Sequence, residues 1–260
     1  MMPDLSRALR FRFRAAILAL GTGMVLFLAY GAECDIRRRW ENLYLGTSSF
    51  GYDVAVDAAG DVYSVGSHRY DEAGADSFVA VIRKISGRYA LVSWTLTING
   101  GEATSYEDSA RGVAVDPSTQ DVVVGGVLFS EIGSGEGPNA WLAKFGSDGS
   151  TVWSVTVNGP RSSTDVIEAV TVNSSGMIFA AGRQEVTAGN SDIWVARYSS
   201  AGVLQNQYIY SDFSDLDGSA MDVAVDRRGS STSWDTRIFP GTTATYGSGS
   251  FLLSSSISGP

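Results

Sequence analysis

The residues that could do chemistry are few and scattered. His68 is the one histidine, followed by Arg69, Tyr70, Asp71 and Glu72 in the stretch Ser67–Ala75. An imidazole can relay a proton, but no nucleophile motif or matching base accompanies it, so a solvated loop residue is expected. A single histidine also excludes a multi-histidine metal site. The densest carboxylate cluster is Ser211–Gly218, with Asp212, Asp215 and Asp217 ahead of a glycine. Calcium takes several such oxygens. The full alternating-aspartate spacing and the closing bidentate glutamate are absent, however, and equivalent places carry Glu107-Asp108 and Asp165. A structural turn is therefore expected, with calcium at Asp212, Asp215 and Asp217 as the alternative. No cofactor is expected: a phosphate-cradling glycine loop, a Cys-x-x-Cys pair and a dinucleotide fingerprint are all lacking.

The elements around these residues repeat. Val54-Ala55-Val56-Asp57 leads through a turn to Asp61–Gly66. Val113-Ala114-Val115-Asp116 leads to Asp121–Gly126, and Val170-Thr171-Val172-Asn173 to Met177–Gly182. Val223-Ala224-Val225-Asp226 begins a fourth copy. The anchors Asp57, Asp116, Asn173 and Asp226 are 59, 57 and 53 residues apart. A third strand follows in each copy, as in Asn139–Phe145 and Asp192–Tyr198, with the alternation of a pleated strand. A fourth carries Trp94 or Trp153, with Tyr208-Ile209-Tyr210 in the same place in the third copy. Trp40 precedes Trp94 by 54 residues and marks the last strand of an earlier copy. At repeat spacing on a strand, these tryptophans are expected to pack between repeats rather than to stack sugars. Lys144 and Arg197 share one equivalent position and read as a charged flank at a strand end.

Four short antiparallel strands every 50–60 residues form the signature of a propeller blade. The Val-Ala-Val-Asp-x-x-Gly-Asp-Val-Tyr pattern, the Asp-x-Phe/Trp-Val-Ala-Lys/Arg strand and the Trp strand closing on Asn-Gly resemble the SBBP-type β-propeller repeat of exported bacterial proteins, over about residues 40–228. The resemblance implies an all-β propeller and no single activity. The expected architecture is about three complete four-stranded blades (49–101, 102–160 and 161–211) plus a split or truncated fourth. The fourth has its last strand at 40–48 and its start at 219–228. Residues 229–260 depart from the pattern as a Ser/Gly/Thr-rich tail, read as truncated or frameshifted.

Residues 1–34 read as an export signal or membrane anchor: Arg7, Arg10, Arg12 and Arg14 precede an apolar run. Cys34 sits where a lipoprotein cysteine would, although Gly31 and Glu33 fit the lipobox poorly. Residues 35–39 are a short linker. The net charge is −9. With +2 in the first 33 residues, the remainder carries −11, which argues against nucleic acid as a partner. Membrane contact is expected only through the N-terminal segment or a lipid on Cys34, and self-assembly if the ring is incomplete.

The stretches between second and third strands (Ser67–Ala75, Val127–Pro138, Arg183–Ser191) differ in every copy. With the connections Glu102–Asp108, Pro160–Val166 and Ser211–Gly218 they mark the expected binding face. Its candidates are His68, Arg69, Tyr70, Tyr106, Glu131, Arg183 and Glu185; none is assigned as catalytic. The expected function is an exported envelope module binding protein or glycan. The alternatives are a carbohydrate-active hydrolase or lyase, or a fragment without independent function. A carboxylate pair at the ring centre would favour the enzyme.

Overall fold

The computed structural model describes residues 49–70, 77–100, 108–129, 137–161, 163–187, 189–210, 218–225, 233–238 and 251–256, the last two segments and Tyr70 and Ser77 by main chain alone. They lie in the unit Leu43–Pro260. Among them all regular structure is β. The first sheet holds β1 (Ser49–Val56), β2 (Val62–Tyr70), β3 (Ser77–Ile85) and β4 (Val92–Ile98). The second holds β5 (Ser109–Val115), β6 (Val122–Phe129), β7 (Pro138–Phe145) and β8 (Thr151–Val157). The third holds β9 (Val166–Val172), β10 (Ile178–Thr187), β11 (Asn190–Tyr198) and β12 (Leu204–Tyr210). Each is an antiparallel meander whose spatial order follows the chain. A three-stranded sheet follows, of β13 (Ala224–Val225), β14 (Ser233–Ile238) and β15 (Phe251–Ser256). The tail after residue 229 thus contributes two paired strands.

The way the sheets meet makes them propeller blades. The first strand of each packs on the preceding sheet: β5 contacts β1, β2 and β3, while β9 contacts β5, β6 and β7. First strands are therefore innermost and fourth strands outermost. Period-two alternation sends successive side chains to opposite neighbours. Val122 and Val124 join Tyr63, Val65, Ala80 and Ile82 in the core between blades one and two. Val123 and Leu142 join Ile167, Val170, Ile178 and Ala180 between blades two and three. A third core sets Phe179, Ala181 and Val195 against Ala220 and Val223. Blade two is covered on both faces, so β6 is an unbroken apolar run, buried from Val122 to Val127.

The repeat anchors close the hairpins. Asp57 Oδ1 accepts the backbone N–H groups of Ala59 and Asp61, Asp116 Oδ1 accepts that of Ser118, and Asn173 Oδ1 accepts those of Ser175 and Met177. This is the aspartate/asparagine turn, in which the side chain replaces a backbone acceptor. The tryptophans latch neighbouring blades. Trp94 Nε1 donates to Ser147 O at 3.1 Å and Trp153 Nε1 to Ser200 O at 3.0 Å, each in the next blade's turn between third and fourth strands. Gly149 and Gly202 lie beneath the two indoles at φ +88° and +77°.

Three expectations need correction. Lys144 is more than a charged flank at a strand end: it is 3% exposed, and its Nζ lies 2.7 Å from buried Asp116 and 3.3 Å from Asp121. A charge this deep persists because it is paired. Tyr208 does not occupy the tryptophan position. Lys84, Lys144 and Arg197 pair with Trp94, Trp153 and Asn206, and Tyr208 falls two residues later. The second strands also run further than the apolar pattern suggests, because ladder pairing continues to Tyr70↔Ser77 and Thr187↔Asn190. His68, Arg69, Tyr70, Arg183 and Glu185 are thus strand residues rather than loop residues.

Candidate functional site

The innermost strands share an irregularity. Each carries one extra residue against its partner: Tyr52 in β1, between Gly51 and Asp53; Arg111 in β5, between Ala110 and Gly112; and Glu168 in β9, where the register breaks opposite Ala181 and Gly182. Such bulges re-aim a side chain and are common beside functional sites. Here they bring three chemically different groups from three blades together. Arg111 Nη1 donates to both Glu168 oxygens, at 2.9 and 2.8 Å, and its Nε donates to Ser109 Oγ at 3.0 Å. The guanidinium carbon lies 5.5 Å from the centre of the Tyr52 ring, within cation–π range. Arg183 of β10 places Nη1 3.6 Å from Glu168 Oε1. The Glu168 side chain is buried, while Arg111, Arg183 and Tyr52 are progressively more exposed. One carboxylate at the floor thus holds two guanidiniums, with a tyrosine on the outer side.

Each described binding-face candidate has a definite place. Among them Arg183 alone joins this cluster. Glu185, at the end of β10, serves its own blade: it accepts from the Ser163 hydroxyl, which holds its carboxyl below the ordinary range, and from Gly189 N–H. His68 Nδ1 lies 3.1 Å from Ser49 Oγ. It lines a shallow cleft of about 120 Å³ on blade one with Phe50, Gly66, Val81 and Arg83. Arg69 sits beside it in β2, opposite Phe78, and Tyr70 ends that strand. Tyr106, Glu131, Cys34, Trp40 and the calcium alternatives Asp212, Asp215 and Asp217 lie outside the described residues. Among the described residues no group of three His, Cys, Asp or Glu side chains is arranged to hold a metal, and no helix is long and apolar enough to cross a membrane.

Asp108 and Asp165 have structural work. Asp108 accepts from Gly100 N–H and Phe129 N–H, both at 2.7 Å; Asp165 accepts from Gly159 N–H and Glu185 N–H. Each, at the start of a blade, ties the end of the preceding blade's fourth strand to the end of its own blade's second strand. Burial raises both carboxyls above the ordinary range, against the pull of those N–H groups. The inner-strand cluster lies ahead of the recurring Val-Ala-Val-Asp pattern, so the repeat motif does not mark it. The cluster draws on the position two residues ahead of the recurring valine, where Tyr52, Arg111, Glu168 and Met221 stand in turn, so no shared residue type marks it in the repeat.

No protein-family model matches the chain, and no curated protein matches it in sequence. Solved structures do match in shape. The β-propeller domain of the Trilobed protease from Pyrococcus furiosus aligns at 9% identity and TM-score 0.39, over 83% of this chain and 60% of that one. A Hadza microbial sialidase aligns at 9% and 0.46, over 73% and 41%. A luciferin-regenerating enzyme aligns at 10% and 0.40, over 73% and 54%. The chain thus spans about two fifths to three fifths of their lengths.

Proposed function

We propose that this protein is an exported cell-envelope β-propeller of the SBBP type, acting as a non-enzymatic binding or scaffold module for a protein or glycan. The ligand face is the one that carries the inner-strand cluster and the variable connections. The motifs over residues 40–228 support the family, and the arginine-led apolar segment before Cys34 supports export.

The observation that carries the binding reading is Glu168. Glycoside hydrolysis uses two carboxyl groups facing each other across the bond. The cluster offers one, and Arg111 occupies both of its oxygens. What remains at the mouth is a tyrosine ring and a half-exposed guanidinium, groups suited to recognition.

Glycan and surface-protein arrays probed with the full chain test this reading, alongside the Arg183→Ala variant. The expected result is a discrete set of bound ligands, weakened about tenfold by Arg183→Ala, with the unfolding midpoint unchanged. Release of new reducing ends from a bound glycan, abolished by Glu168→Gln, would replace the binder with the hydrolase. Cell fractionation with N-terminal sequencing tests export: a cytoplasmic, full-length product would contradict it.

A further inference from the structure

The three blades place a cation at one register position and treat it differently. Lys84, Lys144 and Arg197 lie opposite Tyr63, Val123 and Phe179 on the second strands. In blade one, Lys84 Nζ lies 3.6 Å from Asp57 and 3.3 Å from Asp61. In blade two, Lys144 Nζ lies 2.7 Å from Asp116 and 3.3 Å from Asp121. Two carboxylates from the hairpin between first and second strands thus face one ammonium each time.

In blade three the same hairpin positions hold Asn173 and Met177. Asn173 Oδ1 already accepts from Ser175 N–H, Ser175 Oγ and Met177 N–H, and Met177 offers no charge. The cation here is Arg197. Its Nε is buried without a hydrogen-bond partner, and no carboxylate among the described residues pairs with the guanidinium. A buried donor of this kind requires an explanation. The lysine-to-arginine exchange supplies a clue: a guanidinium is a planar fork shaped for a carboxylate, whereas an ammonium is a point charge suited to its own blade's aspartates.

We propose that Arg197 is a carboxylate-binding site at the hairpin end of blade three, where a carboxylate from outside the chain replaces the aspartates built into blades one and two. The carboxylate comes from an acidic side chain of a protein partner or from a free small anion. The site is separate from the Arg111–Glu168 cluster and does not depend on the function proposed for it.

The test follows the Arg197 Nε–H resonance in the full-length ¹⁵N-labelled protein, assigned through Arg197→Lys, during titration with sodium acetate against sodium chloride of equal ionic strength. The expected result is a saturable shift with acetate only. Met177→Asp restores the internal partner, so its Nε signal is shifted from the outset and its acetate affinity is lower by about tenfold or more. Asn173→Asp serves the same purpose should Met177→Asp fail to fold. A tetra-aspartate peptide binding more tightly than acetate assigns the site to a protein partner; equal affinity per carboxylate assigns it to a free anion. Either result upholds carboxylate recognition. A response to acetate no larger than to chloride, or unchanged binding in both aspartate variants, would overturn it.

Discussion

Asp116 and Lys144 show how much one buried pair can decide. Burial pushes the Asp116 carboxyl up, but the Lys144 ammonium and the Ser118 hydroxyl outweigh burial and hold it down at about 2. A carboxyl lowered on folding stabilises the protein above its unfolded value, near 3.8, and that contribution disappears as the pH falls toward 2. Its size is about 2 kcal/mol. Asp108 and Asp165 have the opposite sign. Their raised values mean that folding holds them charged at a cost near neutrality, relieved as the pH falls through the folded values. Asp116→Asn isolates the first effect. It leaves Lys144 buried without its nearest partner and is expected to cost about 3–5 kcal/mol at pH 7 in urea unfolding, with a flatter stability profile between pH 4 and 2 than wild type. A loss below about 1 kcal/mol would mean that the pair is hydrated. The sequence showed a lysine one residue from a strand end beside a recurring aspartate. It did not show their contact, because residues 28 apart meet only once the blade is folded.

At the scale of elements, the strand plan was legible and the registers were not. Composition and spacing led to four strands per copy because turn residues and period-two alternation are local signals. The spacing of the tryptophans predicts packing between repeats, and the indoles of Trp94 and Trp153 do reach the next blade. The third copy misled: Tyr208 matched by bulk, while pairing places Asn206 at the tryptophan position. Ladder pairing also drew Arg183 and Glu185 into β10, which residue type alone could not reveal. The latch makes its own prediction. Trp153→Phe keeps most of the apolar area but loses the donor to Ser200, so about 1 kcal/mol is expected to go. Gly202→Ala is expected to cost more than about 1 kcal/mol. Its added carbon would lie 2.8 Å from the Trp153 ring, at a backbone angle that alanine adopts poorly. Equal tolerance of Gly202→Ala and an alanine at exposed Gly51 would show that the indole does not seat on the turn.

For the whole molecule, equivalent positions report which faces are covered. Val54, Val113 and Val170 occupy one place in three blades, yet Val54 is 64% exposed while Val113 is 4% and Val170 7% exposed. Blade one therefore turns an apolar face outward, with Phe50 and Val56 beside it. Val54→Lys is expected to change stability by less than about 0.5 kcal/mol. Val113→Lys buries an unpaired charge and is expected to prevent folding. Equal damage from both, accompanied by a wild-type mass in light scattering that rises with concentration, would show that a second chain covers blade one.

The inner-strand cluster belongs to this scale too, since Tyr52, Arg111 and Glu168 come from three blades and no stretch of sequence unites them. Only the bulges and the packing of β5 on β1 and of β9 on β5 do so. A double-mutant cycle on Arg111→Met and Glu168→Gln, read by urea unfolding, measures that packing. Each single change is expected to destabilise the protein, and the double to lose less than the sum of the two by about 1–3 kcal/mol. Additivity within about 0.3 kcal/mol would place the two side chains apart and the inner strands of blades two and three out of contact.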